Sequence, residues 1–533
     1  MKKVIKNICI TLVVALVAFY LTLPAINITS PGFWVFVIFN LLVYYFLSAM
    51  GKQDEIIINE KQIKLPTSKI LYFVFGIPAI ILVINVWQSP LFQPNAYFTR
   101  LLIDETRVFS TDVEEADFAK IPLIDRASSQ RLGDRTMGHM ADLVSQFVVS
   151  DLYTQINHNG EIMRVTPLEY VDIIRWFTNR RDGVKGYVTV NSVTGEANLV
   201  RLEEGNGMRY MPSAFFFDNL ERHLRFRYPT LVFGRATFNL DEEGNPFWVV
   251  PTKRFAGIGL RREVSGVIVV NPVNGDTTRY RLADIPTWVD HVFPSELVLD
   301  QIDNWGSYRN GFWNSIFGQR NVVSTTEGYN YIAMYDDIYL YTGITSATAD
   351  ASITGFVLVN LRTGEARFYS APGAKETSAM ASAEGLVQEM RYTATFPLLI
   401  NLNGRPTYLL SLKDNAGLVK MHALVDVEDY QRVVATDSAL GIDTAVRRYL
   451  AMMGPNIDLN EVNETTIVIQ HITSALIDGN THYYITGRDN RRFQVSIKVD
   501  QYLLPFLRVG DSLTVKYASA DRILIITDII DET

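Results

Sequence analysis

The sequence predicts three N-terminal transmembrane helices, then an α+β region of repeated helix and antiparallel β-hairpin modules, and finally a small C-terminal β-barrel. Three observations predict this fold class: uncharged apolar runs near the start, one phrase that occurs three times, and five short strands near the end. Because a chain of 533 residues is too long for a single hydrophobic core, several domains are expected.

Residues 1–92 are predicted to form a three-helix membrane domain. Three uncharged runs of 18 or 19 residues are each long enough to cross a hydrocarbon core of about 30 Å: 8–26, 33–50 and 70–87. A cleaved signal peptide is the alternative for the first run, but no small-x-small cleavage site precedes Pro24. A buried soluble helix is the alternative for the third run, which Gly76 and Pro78 interrupt, although membrane helices tolerate both residues.

The lysines predict how these helices are oriented. Lysines precede the first run and recur in the 51–69 loop, whereas the 27–32 link has none. The positive-inside rule therefore places the N-terminus and the 51–69 loop in the cytoplasm. We expect a multi-pass protein of the bacterial plasma membrane, with the large region after Trp87 outside the cytoplasm.

A repeated phrase predicts the β-hairpins. The pattern G-x-[VI]-x-V-N-x-x-x-G-[ED] occurs at 186–196, 266–276 and 355–365, and the copies start 80 and 89 residues apart, a domain-sized spacing. Alternating β-branched residues followed by Asn and Gly are typical of a strand that ends in a tight turn. The predicted turn residues are Asn191, Gly195, Asn271, Gly275, Asn360 and Gly364.

A second internal sequence similarity extends the repeated unit. FNLDEEGNPFWVV at 238–250 resembles INLNGRPTYLL at 400–410, and helix-like segments precede both. A degenerate fourth hairpin begins near Ala423, with Asp426 where the other copies have Asn. The predicted modules are 93–205, 206–320 and 321–455, the last including the degenerate hairpin.

These hairpins resemble the PepSY family, small α+β modules of bacterial envelope proteins and of the propeptides of some secreted proteases. The resemblance is best over 186–200, 246–280 and 355–370. The segments 132–179 and 324–337 resemble a family of Gram-positive bacterial membrane proteins with tandem PepSY-like extracytoplasmic modules. That resemblance covers most of the chain but implies no particular activity.

Residues 460–533 are predicted to form an OB-like β-barrel. Five short strands with polar turns, and an apolar YLLPFL segment between the third and fourth strands, favour this fold. OB folds often bind nucleic acids or sugars, yet a fold alone does not give a function. Arg488, Arg491 and Arg492 are interpreted as a solvated hairpin tip.

The sequence contains no pattern of catalytic or metal-ligating residues. The single cysteine, Cys9, excludes an intramolecular disulfide, and no two histidines have the spacing of a zinc helix. The acidic clusters at 114–117 and 241–243 lack the alternating ligands of a calcium loop. We therefore predict no catalytic residues, no metal and no cofactor, although carboxylates from distant strands remain an alternative for a sugar-cleaving site.

Composition limits the partners. The formal net charge is −8 and the basic residues are scattered, which disfavours nucleic acid. An aromatic-rich stretch at 305–339 is a candidate groove for a peptide or a glycan, with packing between modules as its alternative. The candidate groove residues are Trp305, Trp313, Tyr329 and Tyr331.

Together these features lead us to expect a membrane-anchored extracytoplasmic binding or scaffold protein of the cell envelope rather than an enzyme. Its expected partners are the membrane and either other envelope proteins or copies of itself. A protease or a wall-assembly machine is the expected target of regulation. The alternatives are an envelope enzyme with a site between modules and an accessory subunit of a membrane sensor or transporter.

Overall fold

The computed structural model describes most of the chain. The described residues are 2–50, 69–118, 120–138, 141–346, 352–453, 463–477, 480–497, 499–520 and 523–530. Residues 51–68, which are most of the predicted cytoplasmic loop, lie outside the described residues, as do residues 478 and 479 of the predicted C-terminal barrel.

Three helices are long and apolar enough to cross a membrane: Lys2–Thr22, Pro31–Met50 and Lys69–Trp87. They pack first against second and second against third. Pro78 lies inside the third helix without ending it. The amide of Asn40 donates to the carbonyl of Phe36 one turn earlier (2.8 Å), so the helix itself satisfies that donor. These helices therefore anchor the protein in a membrane.

Four β-sheets follow, and all four have the same connectivity. In each, the first two strands are short and both pair with one edge of the long third strand. The fourth strand pairs with the other edge of the third, and the fifth strand pairs with the fourth to complete a hairpin. The first sheet contains Phe147–Val149, Thr154–His158, Glu161–Tyr170, Gly186–Asn191 and Ala197–Arg201. The second contains Val232–Phe233, Thr237–Leu240, Pro246–Arg254, Glu263–Val270 and Thr277–Tyr280.

The third and fourth sheets repeat this order. The third contains Val323–Thr325, Asn330–Met334, Asp337–Ser346, Ser352–Asn360 and Ala366–Ala374. A further short strand, Ile103–Asp104, pairs in parallel with the last of these. The fourth contains Thr393–Ala394, Leu398–Leu402, Arg405–Lys413, Val419–Asp426 and Val433–Asp437.

One helix leads into each sheet: Arg126–Met137, Leu220–Arg227, Ser295–Tyr308 and Glu376–Leu386. Asp125 and Asn219 cap the first two of these helices by accepting backbone N–H groups of the first turn. The remaining α-helices are Pro94–Phe98, Phe109–Asp112, Ala141–Val144, Ile173–Asn179 and Ile442–Met453. Shorter 3-10 or π turns lie at Phe216–Asp218, Leu282–Asp284, Asn314–Gly318, Gln388–Met390, Ser438–Leu440 and Leu504–Phe506.

The repeated phrase forms the same turn in three sheets. In the first sheet, the Asn191 side chain accepts the N–H groups of Val193 and Thr194 (2.9 and 3.0 Å), and Gly195 has φ +76°. Asn271 and Asn360 accept equivalent bonds in their own turns. Gly275 and Gly364 have φ +79° and +78°. Glycine occupies this position because other residues adopt a positive φ only at a cost.

Each turn also holds the segment that enters its sheet. In the four sheets, the carbonyl directly after the Asn or Asp accepts a backbone N–H from the segment that precedes the entering helix. The pairs are Ile124 to Ser192 (2.9 Å), Tyr210 to Pro272 (2.9 Å), Phe293 to Leu361 (2.9 Å) and Ala374 to Val427 (2.7 Å). The fourth turn keeps this bond although it has Asp426 instead of Asn, and its closing bond runs to Arg432, one residue further on than in the other copies.

The sheets pack in pairs. The first and second sheets share one hydrophobic core, to which Val188 and Trp248 belong, and the third and fourth share another, to which Phe356 and Tyr408 belong. The continuous apolar run at 267–270 has its alternate residues in two different cores, as expected for a strand buried on both faces.

Two boundaries differ from the predicted modules. The segment 321–455 contributes strands to two separate sheets rather than one. The helix Ser295–Tyr308, inside the predicted 206–320 module, packs through Val298 and Ile302 on the third sheet. The boundary at residue 320 separated this helix from its sheet because the repeated phrase marks hairpins and does not mark the helices that enter them.

The C-terminal strands close into a barrel around their own core. In barrel order they are Asn463–Ile477, Asn480–Gly487, Arg492–Ser496, Ile523–Ile530 and Ser512–Ala520. Ile469, Phe493 and Val515 fill the interior. Leu504 of the predicted apolar segment also belongs to this core and lies in a short 3-10 turn.

Candidate functional site

A cleft of about 540 Å³ lies on one face of the second sheet. Its floor is formed by strand side chains, namely Phe247, Val269, Thr278 and Tyr280. Its wall comes from the connector toward the third sheet, through Pro286, Thr287 and Trp288. Its acidic rim comes from two turns of the sheet and contains Asp241, Glu242, Glu243 and Asp276. The volume lies in the range of small-ligand sites.

The rim carboxylates differ in how far the protein itself already occupies them with hydrogen bonds. Asp241 organises its own turn, because its side chain accepts the N–H groups of Glu243 and Asn245 (3.1 and 2.7 Å). Glu242 accepts a long bond from the hydroxyl of Thr287 (3.3 Å), across the cleft entrance. Glu243 is exposed, and its carboxylate has no hydrogen-bond or ion-pair partner among the described residues. It is therefore available to a ligand.

The fourth carboxylate comes from the repeated phrase. Asp276 follows Gly275 in the second hairpin turn, and its side chain accepts the amide of Asn274 (2.7 Å). Asn271, which shapes the same turn, also contacts the cleft. Of the six predicted turn residues, only Asn271 lies at this site. Gly275 does not line the cleft; it lies against the ring of Tyr210, and its carbonyl oxygen is 2.8 Å from Nε2 of His223.

The cleft combines negative charge with aromatic rings. The ring centroids of Phe247 and Trp288 are 5.3 Å apart, and Tyr280 completes the aromatic lining. No basic side chain lines the cleft within the described part of the chain. Carboxylates beside aromatic faces favour a cationic ligand, through charge attraction and through the negative face of the rings. No group of three or more metal-ligating side chains with a suitable geometry is found among the described residues.

The predicted aromatic groove residues lie in different environments. Trp305 is 4% exposed and belongs to the core between its helix and the third sheet, so it cannot line a surface groove. Trp313 is exposed and stacks on Phe317 (5.8 Å). Tyr329 and Tyr331 contact each other (5.7 Å), and the Tyr331 hydroxyl bonds with Ser295.

A buried acid and a half-buried histidine follow the cleft wall in the connector. Asp290 is 1% exposed, and one carboxylate oxygen accepts the N–H of Asn157 (2.8 Å). Burial raises the pKa of this carboxyl to about 8, and the negative charge of Asp337 also raises it. Burial lowers the pKa of His291, whose Nε2 donates to the carbonyl of Gln155 (2.6 Å). Both groups join the connector to the first sheet, and neither of them lines the cleft.

The sequence contained part of the signal for this cleft. The acidic triplet at 241–243 is visible in the sequence as a charged cluster, and it forms a turn between two strands of the second sheet. Trp288 gives no such signal, because it lies more than 40 residues from the triplet in a connector without a pattern of its own. The rings and the carboxylates meet only through the pairing of the second sheet.

No family model and no curated protein matches the chain. Among solved structures, the chain is similar to a GH32 β-fructofuranosidase of Bombyx mori, with a TM-score of 0.19 and 9% identity over 76% of this chain and 70% of that one. A GH43_1 enzyme of Xanthomonas citri gives a TM-score of 0.18 and 13% identity over 76% and 100% of the chains. An α-L-arabinofuranosidase of Lactobacillus brevis gives a TM-score of 0.16 and 8% identity, over 71% of this chain and 95% of that one. Likenesses this weak carry no conclusion about fold or activity.

Proposed function

We propose that this is a membrane-anchored binding protein of the bacterial cell envelope, which captures a positively charged segment of another envelope protein in the acidic cleft of its second sheet. The cleft itself carries the proposal. Four carboxylates and three aromatic rings line it, and no basic side chain among the described residues neutralises it. A lysine or arginine entering the cleft meets opposite charge and aromatic faces together.

The proposal is one of binding rather than catalysis. A binding site needs complementary charge and shape, whereas hydrolysis of a glycosidic bond needs two carboxyl groups at a set separation across a scissile bond. Asp241 is engaged in its own turn. The remaining rim carboxylates come from two separate turns, with Glu243 exposed to solvent and Asp276 bonded to Asn274. This supports a recognition surface that regulates a partner such as a protease or a wall-assembly component.

The finer architecture belongs to the same proposal. We take the four sheets with their entering helices to be copies of one PepSY-like module, supported by their common connectivity and turn-to-connector bond. The terminal barrel is proposed to be OB-like, on the basis of five strands and closure. The lysine distribution supports a location outside the cytoplasm for everything after Trp87.

Peptide binding to the full-length protein in lipid nanodiscs tests the cleft. The probes are a fluorescent peptide of alternating lysine and glycine, the same peptide with glutamate for lysine, and soluble wall-glycan fragments. We expect the lysine peptide to bind and its affinity to fall as salt rises, because the contacts at the rim are solvent-exposed.

The matched variants separate the cleft from general charge effects. Glu243→Gln with Asp276→Asn removes two rim charges and should weaken lysine-peptide binding several-fold. Asp284→Asn with Glu221→Gln removes two exposed charges outside the cleft lining and should leave binding unchanged. Equal binding by the glutamate peptide, equal loss in both variants, or cleavage of the glycan would contradict the proposal.

A further inference from the structure

An exposed apolar surface lies beside the ends of the membrane helices. Its residues come from the helix Ile173–Asn179, from the turn before the second helix–sheet unit and from that unit's helix. We define this phenylalanine patch as Ile174, Phe177, Phe216, Phe217 and Phe226, each between 49% and 62% exposed. Contiguous exposed apolar surface of this kind marks an interaction site.

The patch is joined directly to the first membrane helix. Tyr20, near the end of that helix, contacts Phe217 (5.7 Å) and Phe226 (6.4 Å), and Phe19 contacts Phe226 (5.8 Å). The guanidinium of Arg222 lies over the Tyr20 ring, 4.4 Å from its centroid. The patch is therefore at the level where the first helix leaves the hydrocarbon.

Contacts at the ends of the other membrane helices place the second helix–sheet unit at the same depth. In the link between the first two helices, Thr29 accepts the N–H of Gly259 (3.0 Å), and Leu23 accepts a bond from Arg225 (3.0 Å). The Asn85 side chain, near the end of the third helix, exchanges two bonds with the backbone of Ile258 (2.9 and 3.0 Å). Contacts to both the first and the third helix prevent the second unit from tilting away from the membrane.

The local backbone holds the phenylalanine rings outward. Phe216 has φ +52°, an unfavourable conformation for a residue with a bulky side chain, in the middle of three consecutive phenylalanines. Strain of this kind persists where the position of the side chain matters. Trp176 packs on Phe215 and Phe216 from the protein side (5.8 and 5.5 Å) and supports the turn.

Basic residues surround the patch. Arg180 and Arg227 are exposed, and the Arg180 guanidinium lies 4.6 Å from the Phe177 ring centroid. Phenylalanine and other large apolar side chains form the face by which interfacial segments enter the headgroup boundary, and arginines at that depth attract anionic headgroups. We infer that the phenylalanine patch inserts into the interfacial layer of the same bilayer that the helices span, so that the second unit rests on the membrane. This inference holds on whichever side of the membrane the unit lies.

Spin labels on the full-length protein in nanodiscs containing anionic lipid test this inference. Cys9→Ser removes the single cysteine, and a label is then attached at Phe177→Cys or Phe216→Cys. Leu440→Cys is the matched control, because Leu440 is 56% exposed and lies after the fourth sheet. All three positions are exposed, so a label there leaves the packed cores intact.

We expect the labels at 177 and 216 to collide readily with oxygen and several-fold less with a water-soluble nickel chelate than the label at 440. A label at 177 or 216 that is as accessible to the chelate as the label at 440 would overturn the inference, since the patch would then face water. A label shielded from both reagents would also overturn it, since a protein partner would then cover the patch.

Discussion

Asp290→Asn should remove a pH dependence of stability that is built into the contact between the first sheet and the connector that leads from the second sheet to the third. Asp290 lies almost fully buried, with one oxygen bonded to the N–H of Asn157 and the other without a partner in the described structure. Burial, the largest influence, raises the pKa of its carboxyl from 3.8 to about 8. The folded protein therefore retains a proton that the unfolded chain has released.

The sign follows from proton uptake on folding. Between the unfolded and folded pKa values, the folded state binds one more proton, so stability falls as the pH rises, by about 1.4 kcal/mol per pH unit. From pH 5 to pH 8 the upper limit is about 4 kcal/mol, and the contribution is constant above the folded pKa. The half-buried His291 acts in the opposite direction, because its lowered pKa costs stability as the pH falls below about 6.5.

Thermal unfolding of the full-length protein in nanodiscs, followed by tryptophan fluorescence from pH 5 to pH 9, measures this effect. Comparing variant with parent at each pH cancels His291. The asparagine leaves an amide donor unpaired at every pH, so the variant should melt lower at pH 5 and then gain several degrees relative to the parent by pH 8. Asp284→Asn, at an exposed position, is the control. A melting difference between Asp290→Asn and the parent that stays constant with pH would refute the reasoning.

Two further substitutions test the turn and the ion pair of the third sheet. Gly364→Ala should cost more stability than Gly160→Ala by about 1–3 kcal/mol, because both glycines have a positive φ but only at 364 would the new methyl group meet a neighbour, the ring of Phe293 at 2.7 Å. Equal costs in chemical denaturation would show that the ring contact is unimportant. Asp337→Asn should cost about 3 kcal/mol, since Arg362 donates two bonds to this buried carboxylate, one of them at 2.6 Å, and would lose its counter-charge. A melting temperature equal to that of the parent would contradict this.

Local chemistry made part of the fold predictable. Absence of charge over 18 residues specifies a membrane helix by composition alone, and the second and third helices match the predicted runs. The first helix begins earlier than predicted and ends at Thr22 rather than residue 26, because the backbone leaves the helical conformation at Leu23, directly before Pro24. The turns at Asn191, Asn271 and Asn360 depend on a side chain that bonds to its own backbone two and three residues on, so a short pattern contains all the necessary information.

The fourth sheet was only partly predictable for the same reason. Asp426 replaces the asparagine, and the turn closes one residue later, at Arg432. The repeated pattern is therefore interrupted, although the carbonyl of Val427 still accepts the N–H of Ala374, just before the entering helix. A bond between two backbone groups leaves no pattern of side chains in the sequence. For this reason the sequence predicts only a degenerate hairpin here and not a separate sheet.

Contacts between side chains that lie far apart in the sequence were not predictable. Trp288 and the turn at 241–243 share the cleft only because strand pairing brings them to one face. Trp305 was a different case, since Val298, Ile302 and Trp305 have the i, i+4, i+7 spacing of one helix face. That spacing predicts a buried tryptophan, in agreement with its 4% exposure, and aromatic content alone was the poorer guide.

The central claim, that the acidic cleft binds a basic segment of an envelope partner, is tested most directly by photo-crosslinking in living cells. A photoreactive residue replaces Thr287, an exposed residue of the cleft wall, in the full-length protein, and captured peptides are identified by mass spectrometry. The account predicts recurrent capture of one envelope protein through a lysine- or arginine-rich segment, lost when Glu243→Gln and Asp276→Asn are introduced together. Capture that persists unchanged in that double variant, or capture through acidic segments, would contradict the account.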